Sequence, residues 1–592
     1  MSTLAGAIII DPLPDSVALR PSMSENRSLF FRLRLWLSRH LQRSDMPQLL
    51  WQATFAGVGG ALAIVLFRSL LGWIELLLYG HDRGLVAAAS ALPPLWRILI
   101  PTLGGIVAGV LLQYAKRINT DAASDYMEAI SLRDGAISVR LSVARSASSL
   151  LSIASGGSIG REGSMVQLAS LAGFLLARWR RLPAPQRRLL VACGGAAGIA
   201  AAYNAPIAGA LFVAEIILRT ISLESLGPLV TASVVSSVVA HGFFGSAPLY
   251  VMPAIAAPDT SMLMTLALTG IVAGIGAPLF LALLDAGKAG FARLPASPPL
   301  RLGLGGLGLG LISLYFPEAW GNGFSTVNAM LRGDWLWSAL LLVLAFKLLA
   351  TTLTIGSGAI GGAFTPSLFV GAALGLLFGT AAKVLGASGD LPAYVVTGMA
   401  AFLAATLHAP LTAIVIVIEM TANLALLPPV MLASVLALAI SRLLRKRSIY
   451  GDALKPLPSR CFSQLTVAEI LRQGAPTVTL GAPLADYKTA YANSRWQHIY
   501  VLDAASHFVG AVSIHELGPL LLASNAHGDL PPELLHHDYP RLHAEAALSD
   551  ALAIFAGHAG ERLPVLDATG ALLGYASKTD LMLLLGENMS AA

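Results

Sequence analysis

The chain has 592 residues, 55% of them apolar and only 12% charged, about half the charged share of a soluble domain. Those numbers exclude a soluble globule, a disordered chain, a coiled coil and a collagen-like fibre, and they imply a polytopic membrane protein. The net charge of +6 sits in basic clusters beside apolar segments, so it reports membrane orientation and not nucleic-acid binding.

Residues 1–47 read as a cytoplasmic N-terminal segment. Within it, 29–43 is a basic amphipathic helix on the membrane surface, with Phe30, Phe31, Trp36 and Leu37 as its apolar content. No cleavable signal peptide is predicted, because the apolar run Leu4–Ile10 is short and lacks a positive flank.

From 48 to 450 the chain is a succession of apolar segments broken by Gly, Pro and small polar residues, which lipid restricts to helices. Arg178, Arg180, Arg181, Arg187 and Arg188 crowd one short loop; Arg442, Arg445, Lys446 and Arg447 follow the last segment. With Arg27, Arg32, Arg34, Arg39 and Arg43 they place both termini in the cytoplasm. The segments after Ser124 and after Pro206 are too short for a core of about 30 Å, so their helices end inside the membrane, covered by protein or a wet cavity.

This region repeats itself. Gly157-Ser158-Ile159-Gly160 recurs 201 residues on as Gly358-Ala359-Ile360-Gly361. Ala205-Pro206-Ile207, with Glu215 ten residues past the alanine, recurs as Ala409-Pro410-Leu411 with Glu419 at the same spacing. Duplicated halves with broken helices at matching positions mark many transporter folds, whose site lies where the halves meet. Spacing leaves open whether the halves are inverted or parallel.

Two other features read as packing. Gly303-Leu304-Gly305-Gly306-Leu307-Gly308 matches G-x-G-x-x-G, but no strand precedes it, so it is a small-residue helix face. Cys193 and Cys461 form no disulfide framework, and Cys193 reads as a small buried hydrophobe.

A linker at 451–460, with Pro456 and Pro458, leads to residues 461–592, where polar composition returns. Val501-Leu502-Asp503-Ala504 recurs as Val565-Leu566-Asp567-Ala568, and Gly510, Ser513 and Leu517 as Gly574, Ser577 and Leu581, every pair 64 residues apart. Each copy reads as helix, strand, turn, strand and helix, a soluble α/β tandem on the cytoplasmic side.

The strongest candidate for chemistry is Glu162 in Gly160-Arg161-Glu162-Gly163-Ser164, a carboxylate at a helix start within an apolar region. A helix N-terminus offers free N–H groups and a positive dipole end, so an ionised glutamate there occupies an anion site. The matching place in the second half, Gly362-Ala363-Phe364-Thr365-Pro366, presents N–H groups with no charged side chain. Ser124 offers a hydroxyl, although Asp125 and Glu128 around it also fit a capping box. Tyr450, read alone, is an interfacial tyrosine. His536 and His537 lack zinc-ligand spacing, and no nucleotide-binding loop or hydrolase motif appears, so nothing argues for an enzyme.

At these residues the chain resembles the CLC family of chloride channels and chloride/proton exchangers. Gly160–Ser164 is similar to that family's G-R-E-G-P, with Ser in place of Pro, and Gly362–Pro366 matches G-x-F-x-P. Tyr450 falls where the family's pore tyrosine follows the last membrane helix. The motif G-S-G-I-P-E survives only as Ala123-Ser124-Asp125-Tyr126-Met127-Glu128, a departure that, with Trp320-Gly321-Asn322-Gly323, looks most like one bacterial branch. The resemblance implies an all-α membrane fold of about 18 helices in two inverted halves. It also implies a homodimer in the bacterial inner membrane with one anion pathway per subunit. Ser124, Tyr450 and the backbone at Gly163, Ala363 and Phe364 would bind the anion, and Glu162 would be the outer gate.

Chloride is then the transported ion, and no cofactor is required. In the family's proton exchangers a second glutamate relays protons in a pattern like L-F-x-x-E-E; here Leu211-Phe212-Val213-Ala214-Glu215-Ile216 puts apolar Ile216 at that position. A gated, proton-uncoupled chloride channel is therefore expected, with a chloride/proton antiporter as the alternative. The C-terminal tandem resembles a CBS pair, in which Ser577 and Asp580 would hold the ribose of an adenine nucleotide; the first copy has Ser513 and Glu516. A nucleotide-responsive sensor is the third reading.

Overall fold

The computed structural model describes residues 46–80, 84–118, 122–253, 255, 258–333, 335–387, 389–451, 465–492, 496–522, 528–558 and 560–591. The amphipathic helix expected at 29–43, Cys461 and nearly all of the linker 451–460 lie outside them. The chain forms two compact units, one of residues up to Tyr126 with Gly135–Ser448, the other of Met127–Asp134 with Ile449 onward.

The first unit is helical. Among the described residues, seventeen α-helices run from Met46 to Leu444, in keeping with the all-α fold of about 18 helices expected for two halves. Seven stretches are long and apolar enough to cross a membrane: Met46–Tyr79, Pro94–Lys116, Leu223–Phe244, Thr260–Ala292, Trp337–Gly356, Phe364–Val384 and Leu424–Leu444. Others are short, as expected. Tyr126–Ser131 has six residues, and Pro206–Phe212 has seven before a π-helical turn, Val213–Leu218. Pro206 and Pro410 each open a helix, where a missing N–H costs nothing.

The duplication is written into the backbone. Left-handed residues recur in matched pairs: Gly156 and Gly358 (φ +96° and +97°), Asn204 and His408 (+55° and +58°), Arg219 and Ala422 (+55° and +52°). Asn204 and His408 end the helices Ala184–Tyr203 and Leu391–Leu407, and one residue later each chain re-enters a helix at the Ala-Pro landmark.

Two contacts between the halves are reciprocal. Gly160 N–H donates to the Gly362 carbonyl (2.8 Å), and Gly362 N–H donates back to Gly160 (3.0 Å). The Glu215 carboxylate accepts from Leu411 N (3.2 Å), Thr412 N (2.7 Å) and the Thr412 hydroxyl (2.7 Å), capping the helix Pro410–Thr421. Glu419, near the end of that helix, accepts from Ile207 N (3.0 Å) and Ala208 N (2.8 Å), capping the helix that leads to Glu215. Contacts that exchange into themselves when the halves are swapped are those of a two-fold relation. The halves are therefore related by a two-fold axis.

Small residues let the helices close up. A Cβ on Gly306 would lie 2.1 Å from the Pro101 carbonyl oxygen, and one on Gly105 would lie 2.4 Å from that of Leu302. The run 303–308 is thus a packing face, as its sequence suggests. Cys193 is fully buried among apolar neighbours. Lys347, also buried, turns its ammonium on the carbonyls of Glu318 (3.2 Å), Ala319 (3.0 Å), Trp320 (3.3 Å) and Gly321 (2.7 Å), tying down that turn.

The second unit is the α/β tandem. One sheet has the order β1 (Thr477–Thr479), β2 (His498–Leu502), β3 (Phe508–Ser513), β4 (Leu535–His536), the other β5 (Leu542–His543), β6 (Arg562–Leu566), β7 (Leu572–Ser577). The copies agree in register. Val501 pairs with Gly510 and Val565 with Gly574, and a bulge follows each valine. Asp503 and Asp567 each stand just past a strand and accept backbone N–H groups that close the next turn. This strand order is that of the expected CBS-type pair.

Glu419→Ala should destabilise the first unit by about 1–3 kcal/mol, because two helix-start N–H groups lose their acceptor. Thermal unfolding of the detergent-solubilised protein measures it, and Glu215→Ala should act alike.

Candidate functional site

The site lies where the two half-helices meet end to end. Glu162 is the first residue of the helix Glu162–Trp179 and is buried, 3% exposed. The bridge between Gly160 and Gly362 holds that start against the start of Phe364–Val384. A Cβ at Gly160 would fall 2.1 Å from the Glu162 carboxylate oxygens, and one at Gly362 would fall 2.4 Å from Oε1, so side chains at either place would displace it. The two landmarks are glycines for this reason.

The carboxylate of Glu162 points across into the other half. Oε1 accepts from Phe364 N (3.0 Å) and Thr365 N (3.2 Å), and Oε2 accepts from the Thr365 hydroxyl (3.1 Å). The carboxyl oxygens thus fill the N-terminal donors of the second-half helix. The structure brings Glu162, Gly163, Ala363 and Phe364 together; Ala363 is the residue on which the second helix starts.

Thr365 and Tyr203 carry no signal of their own in the sequence. Thr365 stands at a variable place in G-x-F-x-P, and its hydroxyl is linked to Tyr203 Oη (3.1 Å). The Tyr203 ring lies 5.1 Å from that of Phe364, and Phe212 packs on the other side at 6.5 Å. A hydrogen-bonded chain Tyr203–Thr365–Glu162 results. It could have been suspected only from the hydroxyl in the first turn of the facing helix.

Ser124 is half-buried in a bend beside the bridge between Ala123 and Ile137. Its segment reaches the Glu162 helix, since Tyr126 N donates to Gln167 Oε1 (2.8 Å) and Asp125 shares a cavity with Gly163. Glu128 pairs with Arg133 at 2.8 Å. Tyr450 is half-buried in a turn and belongs to the second unit. Ile216 is buried, 5% exposed, in the π-helical turn. Glu215, one residue earlier, is committed to capping the Pro410 helix.

Residues 103–442 match the family described as "Voltage gated chloride channel". The chain belongs to the CLC family. A ClcB-like protein of Ralstonia nicotianae is 48% identical over 409 residues, 68% of this chain and 95% of that one. The "Voltage-gated ClC-type chloride channel ClcB" of Citrobacter koseri is 42% identical over 405 residues, 67% and 97% of the two chains. These relatives are nearly used up by alignments that leave about a third of this chain unmatched. Among solved structures, a slow cyanobacterial Cl-/H+ antiporter aligns with a TM-score of 0.62 at 26% identity, over 69% of this chain and 98% of its own. A eukaryotic CLC transporter aligns at 0.59 and 20% identity over 91% of this chain and 99% of its own, so the shared fold extends past the membrane unit.

In the second unit, the Ser577 hydroxyl donates to Asp580 Oδ2 (2.7 Å) and accepts from Asp580 N (3.0 Å). The S-x-x-D pattern therefore caps the last helix, Lys578–Ala591. Arg472 also holds Asp580 Oδ1 (2.9 Å), and that hydrogen bond keeps the carboxyl below its usual range. In the first copy Glu516 is paired with His536 at 2.8 Å instead.

Tyr539 Oη joins two histidines, His498 Nδ1 at 3.3 Å and His558 Nε2 at 3.2 Å. Burial pushes both imidazoles below their ordinary value, helped by their mutual repulsion at His498 and by Lys578 at His558. A depressed histidine lends stability that is complete above the unfolded value of about 6.5 and is lost as pH falls below it. Hydrogen exchange of the full-length protein should therefore show faster opening around β2 and β6 at pH 5.5 than at pH 7.5. His498→Gln should flatten that dependence.

Proposed function

We propose that this protein is a gated chloride pathway in which Glu162 competes with the anion for one set of donors. The observation that carries this reading is the Glu162 carboxylate on Phe364 N, Thr365 N and the Thr365 hydroxyl. A chloride placed there would be held by the same N–H groups, so it enters only when the carboxylate is neutralised or swings away. Ser124 and Tyr450 are the hydroxyl donors of the adjoining anion position in this reading, and Gly163 and Ala363 let backbone approach the ion.

Conduction without stoichiometric proton countertransport is favoured by Ile216, which has no proton to relay, and by Glu215, whose carboxylate is occupied by three donors of the facing helix. The relatives named as channels agree with this. The cyanobacterial Cl-/H+ antiporter supports the second reading, an exchanger with another relay. The basic clusters around 178–188 and 442–447 support a cytoplasmic side there, in a bacterial inner membrane. The family resemblance supports a homodimer with one pathway in each subunit.

Liposomes carrying a chloride gradient and no proton gradient test both points. Chloride efflux without proton uptake is expected, and uphill proton movement at a fixed ratio to chloride would establish the exchanger. Glu162→Gln should abolish the dependence of flux on external pH; a retained dependence would remove Glu162 as the gate.

An adenine nucleotide at Ser577 and Asp580 is the regulatory ligand we propose for the tandem. Asp580 must then exchange Arg472 for ribose hydroxyls, so Arg472→Ala should tighten ATP or AMP binding measured by equilibrium dialysis of the full-length protein. No binding at millimolar nucleotide would leave the tandem a scaffold.

A further inference from the structure

Glu162 meets the second half through two kinds of donor. Phe364 N and Thr365 N are backbone groups, whereas the Thr365 hydroxyl on Oε2 belongs to a chosen side chain. Thr365 and the Tyr203 bonded to it are both buried.

Tyr203 is placed firmly. It ends the helix Ala184–Tyr203, and the next residue, Asn204, is left-handed and donates its amide to the Ser246 and Ala247 carbonyls (3.3 Å each). The tyrosine ring packs against Phe364. Its hydroxyl is no requirement of that helix end. In the second half the matching helix closes with the same left-handed turn at His408, and the residue before it is the buried, apolar Leu407. What a tyrosine adds at 203 is therefore its hydroxyl and the bond to Thr365.

Charge fixes the direction of the chain. An ionised carboxylate only accepts, so the single Thr365 proton goes to Glu162 Oε2. The proton between the two hydroxyls is then that of Tyr203. Donation into the Thr365 oxygen polarises its O–H and strengthens the bond to the carboxylate. A hydrogen bond made to the charged form keeps a carboxyl ionised to lower pH.

Other charged and titratable groups stand on the surrounding elements. Arg161 precedes the glutamate, and Arg68 and Glu75 on Met46–Tyr79 neighbour that arginine. Tyr250, from the loop ahead of Thr260–Ala292, is fully buried and interacts electrostatically with Arg161 and Glu162. Arg145 on Val139–Ala154 lines a cavity with Gly163, and Phe364–Val384 has no charged residue before Lys383. Among the described residues, Thr365 is the one side chain that donates to the carboxylate.

We propose that Tyr203 and Thr365 set the external pH at which Glu162 gives up its donors: Tyr203 pins the Thr365 proton on the carboxylate, which holds the glutamate ionised and seated to lower pH. Both are positioning residues, and the proposal rests on the reading of Glu162 as the gate.

The test is chloride efflux from liposomes of full-length protein as external pH is varied, each variant scaled to its own maximum. Thr365→Val, which keeps both backbone donors, should move the half-maximum up by about one pH unit, a tenfold change in proton concentration. Tyr203→Phe, which keeps the ring, should move it the same way by about half a unit. Thr365→Ser should restore the parent profile. In a Glu162→Gln background neither substitution should create a pH dependence, because the group they act on is gone; a dependence appearing there would place their effect elsewhere and overturn the proposal. An unmoved or lowered half-maximum in either single variant, with the parent still pH-dependent, would overturn the hydroxyl chain while leaving Glu162 as the gate. Parent flux that ignores external pH would overturn the gate reading itself.

Discussion

Inside a membrane, a helix that ends leaves N–H groups that neither water nor lipid can satisfy. That constraint organises the first unit of this protein. Two helices, Glu162–Trp179 and Phe364–Val384, begin at the same place, and their starts are joined by the Gly160–Gly362 exchange of backbone bonds. The orphan donors of one are answered by the carboxylate of the other. One glutamate side chain thereby caps a helix that belongs to the other half.

The same problem is met a second time, and met differently. The helices opened by Pro206 and Pro410 also start within the apolar region, and each is capped by a glutamate from the far end of its counterpart. At Glu162 the arrangement is asymmetric, because the second half carries no matching carboxylate and only one helix donates to the other's side chain. At Glu215 and Glu419 it is symmetric, both sets of donors are filled, and no vacancy remains. The first pair leaves one carboxylate serving a single helix start, whereas the second ties the halves together from both sides. The Glu215 carboxylate is in this way fully engaged by Leu411 and Thr412.

The C-terminal unit applies duplication to a soluble fold. Its copies share register, bulge and Asp-closed turn, yet differ in the side chains after β3 and β7. Ser577 and Asp580 form a helix cap braced by Arg472, whereas Glu516 turns to His536. Two nearly equal backbones therefore present unequal polar groups, and the histidines around Tyr539 sit at a place where charge is costly.

Much of this was legible in the residues. Apolar content, basic loops and interrupted segments specify a membrane protein with helices that stop short, and landmarks 201 to 204 residues apart specify duplicated halves. Glu162 stands out because a carboxylate at a helix start in an apolar run has few other uses, and the 64-residue repeat delivers the strands of the tandem in order. Each of these features is read from short stretches of chain and from their recurrence, through composition, periodicity and turn chemistry. What only the tertiary structure decided depends on pairs about 200 residues apart: that the halves are related by a two-fold axis, that Glu215 and Glu419 cap each other's helices, and that Thr365 reaches Glu162. A spacing in sequence carries no sign for the relative direction of two helices, and a hydroxyl carries no mark of what it faces. Both are settled only when the chain folds back and the donors of one half find the acceptors of the other.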